Sequence, residues 1–152
     1  MVTRATADEE TLPDINDFSI AVLQNNNVQL TWNRYADFTD GTEIAAGNYT
    51  LKATYGNIET QGFEAPYYEG AKEFSIKKNE STNISVICYL ANVKVTTEYT
   101  ELFKKYFTDY TVNIRPAGST DISFGKNETR AAYVKPGKIS IYPVSYTHLR
   151  AH

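Results

Sequence analysis

The stretch Ile84–Thr97, with the sequence ISVICYLANVKVTT, constrains the fold more than any other part of the chain. Apolar side chains occupy even positions up to Leu90 and odd positions from Val93 onward. Because side chains alternate between the two faces of a strand, the pattern predicts two strands joined by a one-residue shift at Ala91-Asn92. A shift without a glycine or proline indicates a bulge, or a strand that passes from one sheet to another. We therefore interpret this stretch as the boundary between two β domains.

Composition supports a β protein and limits the classes of partner. Of the 152 residues, 41% are hydrophobic and 12 are tyrosines, and both figures suit packed, half-buried sheets. The net charge of -3 argues against a nucleic-acid surface, and no apolar run is long enough to cross a bilayer. The single cysteine, Cys88, falls on the apolar side of its strand, so we expect a small buried hydrophobe rather than a reactive thiol.

The first predicted module covers residues 15–90. Alternating apolar residues around the turn residues Gln24–Asn27 predict a β-hairpin from Phe18 to Asn33. Gly47 opens the clearest strand, in which Tyr49, Leu51 and Ala53 face one side. The connection 56–70 is long for a β protein, so it either packs on itself or has a specific role. Another strand follows around 74–76.

The second predicted module covers residues 91–143. Thr100 is placed to cap a short helix that carries Leu102, Phe103, Tyr106 and Phe107 on one face. Alternation from 110 to 114 and short apolar runs around 122–124, 131–134 and 139–141 predict further strands. The predicted fold is therefore mainly β, with two consecutive antiparallel β-sandwich modules, one short helix and a truncated second module.

Both ends of the chain are predicted to lie outside the modules. Residues 1–14 are polar and acidic without periodicity and predict a disordered tether, with no apolar core of a signal peptide. Residues 144–152, VSYTHLRAH, resemble the translation of a sequencing-library adapter. On that interpretation the chain is a metagenomic fragment whose gene was cut near Pro143. Both histidines, His148 and His152, lie in this tail.

No catalytic, cofactor-binding or metal-binding residue is predicted. Without a histidine before residue 144, the chain cannot build a Ser-His-Asp or Cys-His site or a usual zinc site. The sequence Asp14-Ile15-Asn16-Asp17 offers oxygens for calcium, but it lacks the spacing and glycine of a calcium loop and is better interpreted as a turn or cap. A pair of carboxylates in space stays open as a third possibility, since sequence spacing does not reveal it.

Four aromatic residues carry the one functional signal: Trp32, Tyr35, Tyr67 and Tyr68. Aromatic rings on loops form flat platforms for sugars or surfaces for a protein partner. The alternative interpretation, which we favour, places Trp32 in the core and uses the two later tyrosines to hold the long loop against the fold.

Several segments resemble a family of unknown function, family 4493, of the Bacteroidota. The resemblance rests on Gly47–Ala53, on Pro66–Gly70 followed by Phe74 and Ile76, on Cys88–Val95 and on Thr3-Arg4-Ala5. It implies immunoglobulin-like or fimbrillin-like β-sandwich modules in an exported cell-envelope lipoprotein. It also implies a signal peptide and lipid-bearing cysteine upstream in the full-length protein, and an outer-membrane or cell-surface location. The family offers no catalytic residues to transfer.

The sequence thus predicts a non-enzymatic, surface-exposed structural or adhesion-type module that needs no cofactor. Its expected partner is another envelope protein or a glycan. The alternative function is glycan binding through the loop aromatics, and a glycan array distinguishes the two.

Overall fold

The computed structural model describes the backbone of residues 11–149 and the side chains of residues 11–143, and this part of the chain is mainly β. Two 3-10 turns, Ile15–Asp17 and Tyr35–Asp37, and one helix, α1 (Glu101–Tyr106), accompany the strands. The strands are β1 (Ser19–Gln24), β2 (Asn27–Trp32), β3 (Gly47–Tyr55), β4 (Gly62–Phe63), β5 (Tyr68–Ile76), β6 (Tyr89–Leu90), β7 (Val93–Val95), β8 (Phe107–Pro116), β9 (Ile122–Gly125), β10 (Ala132–Val134) and β11 (Ile139–Leu149). The predicted mainly β class with one short helix is confirmed. Most of the predicted tether, residues 1–10, lies outside the described residues.

The chain forms two compact units that are interleaved in sequence. Unit 1 contains the residues up to Tyr55 and Glu69–Tyr89, and unit 2 contains Gly56–Tyr68 and the residues from Leu90 onward. The third passage between the units, from Tyr89 to Leu90, lies close to the shift at Ala91-Asn92. The predicted first module, 15–90, differs from unit 1 because it included residues 56–68.

Unit 1 is built on an antiparallel sheet in the order β2-β1-β3-β5-β6. The register places Ile20 opposite Ala53 and Val22 opposite Leu51, so the apolar residues of β1 and β3 share one face. Three of these four side chains are buried, and Leu51 is half-buried. The predicted face of β3 is therefore confirmed, with Lys52 exposed on the other side.

The predicted hairpin is confirmed as the pair β1 and β2. Its two turn residues, Asn25 and Asn26, have φ angles of 53° and 65°. Asparagine tolerates this left-handed region better than most residues, which is why the Asn run forms the turn.

Unit 2 is a β-sandwich of two three-stranded sheets, β4-β10-β7 and β11-β8-β9. Its core comprises the fully buried or nearly buried side chains of Ile114, Phe124, Ala132 and Val134. Those four residues come from both sheets, so the two inner faces pack on each other. Partly buried residues complete this core: Phe63, Val95, Val112, Ile122 and Ile139.

The long connection after β3 belongs to the structure of unit 2. Its short strand β4 pairs with β10, with Phe63 opposite Ala132 and Gly62 opposite Tyr133. The ring of Phe63 meets that of Phe124 edge-on at 5.1 Å. The segment therefore contributes an edge strand and a core ring to unit 2, which corrects its assignment to the first module. A two-residue strand shows too little alternation to be recognised in sequence.

Asn92, at the predicted shift, acts as a buried polar clamp on the same segment. Its side chain is 7% exposed. The amide nitrogen Nδ2 donates to the carbonyl of Ala65 at 2.9 Å, and Oδ1 accepts from the backbone N–H of Tyr67 at 3.2 Å. The N–H of the preceding residue, Ala91, donates to the Tyr67 carbonyl at 2.7 Å. The Asn92 side chain thus forms hydrogen bonds with the backbone of Ala65 and Tyr67 of the kind that a neighbouring strand would form, and it satisfies these two backbone groups.

We expect Asn92→Asp to destabilise unit 2, and more strongly at pH 7 than at pH 4. The isosteric carboxylate keeps the acceptor for Tyr67 but faces the Ala65 carbonyl with no proton to donate, at a cost of about 1–3 kcal/mol. Burial and that carbonyl raise the folded-state pKa of the new carboxyl, so its protonated form restores the donor at low pH. Urea denaturation of variant and native chain at both pH values measures the difference. An equal loss at both values would contradict the clamp.

The stretch Ile84–Thr97 was predicted to form two strands, and the structure shows only the short strands β6 and β7 within it. Burial alternates from Ile84 to Leu90 as expected, but only β6 within it forms ladder pairs. Cys88 belongs to unit 1, where its half-buried Sγ lies 3.9 Å from the Ala53 carbonyl oxygen, whereas Val95 packs against the core of unit 2. The odd-position pattern predicts that Val93 packs in the second module together with Val95, and this is wrong for Val93, which is 38% exposed.

Helix α1 begins as predicted, with the Thr100 hydroxyl accepting from the N–H of Phe103 at 3.2 Å. Its predicted apolar face is only partly correct, since Leu102 is 63% exposed. The helix ends after six residues, and Phe107 already lies in β8. Phe103 instead contacts rings outside the helix. It stacks on the rings of Tyr99 and Phe107, at centroid distances of 5.9 and 4.5 Å, and meets the Tyr110 ring edge-on at 5.0 Å.

Strand β11 extends beyond the predicted module end at Pro143. Its backbone pairs with β8 from Ile139, opposite Pro116, to Leu149, opposite Phe107, with an irregularity after Tyr146. The long partner β8 supplies hydrogen-bonding groups along this whole length, which explains the difference from the predicted short strand. The adapter origin of residues 144–152 stays a prediction, and its last three residues lie outside the described part.

Candidate functional site

The structure separates the four aromatic residues that the sequence singled out. Tyr67 and Tyr68 are buried, at 8% and 9% exposure, within unit 2. They belong to the fold, as the favoured interpretation predicted. Trp32 is half-buried in unit 1, whereas Tyr35 is 43% exposed.

Trp32 and Tyr35 form one cluster together with Phe38, which the sequence interpretation missed. The Trp32 and Phe38 rings meet edge-on at 5.0 Å, and the Tyr35 and Phe38 rings are nearly parallel, 18° apart with centroids 6.0 Å apart. Phe38 is 37% exposed. We call these three residues the aromatic surface. The signal was available as a three-residue spacing, since side chains three apart lie above one another on a 3-10 turn.

Hydrogen bonds fix the turn that presents the aromatic surface. The N–H of Tyr35 donates to the Phe18 carbonyl at 2.7 Å, and the Ser19 hydroxyl donates to the Asn33 carbonyl at 2.9 Å. The Arg34 guanidinium bridges to the Asp17 carboxylate at 2.8 Å. The 3-10 turn 35–37 is thereby tied to the chain just before β1, which limits the motion of the exposed rings and the entropy that a ligand has to remove.

The charges around the aromatic surface are mostly negative. Arg34 interacts electrostatically with the carboxylates of Asp17, Asp37 and Asp14. The hydrogen bond that Arg34 donates to Asp17, and then the charge of Asp17, raise the pKa of Arg34 above its usual value. Asp14 also caps the 3-10 turn 15–17, since its Oδ1 accepts from the N–H of Asn16 at 2.9 Å. Residues 14–17 thus serve as a cap and an ion-pair partner, in agreement with the turn interpretation.

A family model described as a domain of unknown function, DUF4493, matches residues 1–148. The chain belongs to the DUF4493 family. No curated protein and no solved structure matches the DUF4493 chain. Family membership therefore confirms the predicted resemblance and assigns no activity. Among the residues that the structure describes, no helix of this DUF4493 chain is long and apolar enough to span a membrane.

Unit 1 of the DUF4493 chain also carries an open depression of about 420 Å³. Polar side chains dominate its lining, among them Asn25, Asn48, Glu73 and Ser75. The Ser75 hydroxyl donates to Asn48 Oδ1 at 2.7 Å, so part of this polarity is satisfied internally. The one tyrosine in the lining, Tyr49, is buried and shows little ring face. The other aromatic residue of the lining, Phe74, is half-buried, so the depression is lined mainly by hydrogen-bonding groups and shows less exposed ring than the aromatic surface.

Metal and thiol chemistry have little support in the described part of the DUF4493 chain. Within it, no group of three or more His, Cys, Asp or Glu side chains is placed to hold a metal ion. Burial raises the pKa of the Cys88 thiol, which opposes formation of the reactive thiolate. The aromatic surface is the arrangement with the clearest capacity to bind, through ring faces and neighbouring polar groups.

Proposed function

We propose that this DUF4493 protein is a non-enzymatic, surface-exposed structural or adhesion-type module of a bacterial cell-envelope lipoprotein. The β-sandwich architecture and the family support this proposal, and they suit a rigid display module. The observation that carries it is the aromatic surface, where Tyr35 and Phe38 are 43% and 37% exposed on a turn held by hydrogen bonds. Exposed aromatic rings on a rigid support are typical of contact surfaces.

A specific observation also favours the second candidate, glycan binding. The nearly parallel rings of Tyr35 and Phe38 offer flat apolar faces, and Arg34 and Asp37 next to them carry polar groups. Aromatic faces pack against the C–H faces of sugar rings while neighbouring polar groups bond the hydroxyls. The aromatics involved are those around the 3-10 turn rather than the tyrosines of the long loop.

The double variant Tyr35→Ala/Phe38→Ala tests both candidates. We expect it to lower binding to the cell surface or glycan that the native chain binds by at least about tenfold, because exposed aromatic anchors contribute most at contact surfaces. Tyr89→Ala is the matched control, since Tyr89 is 55% exposed in the same unit. The readouts are a glycan array and binding to intact cells, with melting temperatures measured alongside. Native-level binding by the double variant would contradict the assignment of this surface.

The proposed location has its own test. In the native bacterium, protease added to intact cells should digest the full-length protein, while a periplasmic marker stays intact. Protection of both proteins until the cells are lysed would argue against surface exposure.

A further inference from the structure

The aromatic surface has a charge environment that its rings alone do not reveal. Arg34 interacts electrostatically with Asp17, Asp37 and Asp14, so in this group carboxylates outnumber the guanidinium three to one. Arg34 is engaged by Asp17 at 2.8 Å and so presents a neutralised pair rather than a free cation. Approaching ligands therefore meet a net negative field beside the rings.

Asp37 has a particular position in this group. It lies in the 3-10 turn between Tyr35 and Phe38, so a carboxylate is part of the same turn as the exposed rings. Asp37 is exposed, and its carboxylate lies within electrostatic range of Arg34. An exposed carboxylate is a strong acceptor for hydroxyl groups, and its two oxygens can accept from two neighbouring hydroxyls of a sugar.

We propose that the aromatic surface binds uncharged glycan chains and rejects anionic ones, an inference that rests on the glycan-binding form of the proposed function. The rings contact the apolar faces of a sugar, and Asp37 accepts from its hydroxyls. A uronic-acid, sialic-acid or sulfated chain on these rings instead brings negative charge beside the turn that carries Asp37, and repulsion between exposed like charges acts over a Debye length of about 8–10 Å. The paired Arg34 does not compensate for that repulsion.

The preference for neutral over anionic glycan chains should depend on salt concentration in a defined direction. Repulsion between exposed charges weakens as salt screens it, so affinity for an anionic chain should rise with salt while affinity for a neutral chain stays nearly constant. A basic glycan-binding surface would show the reverse for anionic chains. The direction of the salt effect thus reports the sign of the field at the site.

An array of neutral oligosaccharides and acidic counterparts of the same length tests the proposal. We expect native chain to give signals on neutral chains that Tyr35→Ala/Phe38→Ala abolishes and Tyr89→Ala retains. Asp37→Asn should weaken neutral binding several-fold, because the amide is a poorer acceptor, and raise the ratio of acidic to neutral signal. Glu80→Gln, which neutralises an exposed carboxylate in another turn of unit 1, should change neither.

Signals on acidic chains that equal or exceed those on their neutral counterparts, and that depend on Tyr35 and Phe38, would overturn the proposal. Absence of signal on both sets would overturn it as well, while binding to intact cells that depends on these rings would leave the adhesion function standing. If neither glycan binding nor binding to intact cells depends on Tyr35 and Phe38, the aromatic surface is not the binding site.

Discussion

Gly56→Ala is expected to destabilise unit 2 by about 3–5 kcal/mol, a large fraction of a small domain's stability. Two effects add at this position. The φ of Gly56 is +84°, where an L-residue is strained, and an added Cβ would stand 2.4 Å from the carbonyl oxygen of Pro66. Because that neighbour is backbone in the segment that carries β4, relief requires the segment itself to move.

Gly118→Ala in the same unit separates the two effects. Its φ of +74° matches that of Gly56, but a Cβ there meets nothing within 4 Å. We expect this control to lose only about 1 kcal/mol, from strain alone. Urea denaturation followed by far-ultraviolet circular dichroism measures both variants. Similar losses for the two would show that the Pro66 contact relaxes and that the segment is not held where it lies.

Phe124→Ala is expected to cost about 3–5 kcal/mol through the cavity that it leaves. The side chain is completely buried, and its neighbours include Ile114, Val134 and the edge-on ring of Phe63. Since both sheets of unit 2 contribute to this cluster, the lost ring removes part of the packing between them.

Leu102→Ala and Phe124→Leu are the controls for the core variant. Leu102 is 63% exposed, so its truncation should change the free energy of unfolding by no more than about 0.5 kcal/mol. Phe124→Leu keeps part of the volume and should fall between the other two. Fluorescence of Trp32, the chain's one tryptophan, reports on unit 1 in the same titrations. A cost for Phe124→Ala as small as that for Leu102→Ala would contradict the assigned core.

Sequence reasoning succeeded where one periodicity extends over several residues. The alternation around Leu51 predicted strand β3 and its faces, and the Asn run predicted the hairpin turn. It failed where the determining contact is distant in sequence. Phe63 carries no local pattern, yet it pairs with Ala132. This pairing places the long connection that contains Phe63 in unit 2.

The candidate site shows the same division. Trp32 and Tyr35 were recognisable as aromatic residues near a loop, but their grouping with Phe38 depends on a 3-10 turn that a three-residue segment barely signals. Whether an aromatic ring belongs to a binding platform or to the core depends on its exposure, and exposure is a property of the folded chain. For that reason the sequence placed Tyr67 and Tyr68 in the same candidate set, although the structure buries both.

The crossing of the chain at Tyr55 and back at Glu69 has a consequence for modularity at the level of the gene. Neither unit is encoded by an uninterrupted stretch of codons, so neither can be copied into another protein by a single recombination event. A fragment that starts at Leu90 would lack β4, the Phe63 ring and the partners of the Asn92 side chain. During synthesis, residues 56–68 leave the ribosome well before β10 exists to pair with them. Duplication or exchange within this family should therefore conserve the pair of units as the smallest inherited block.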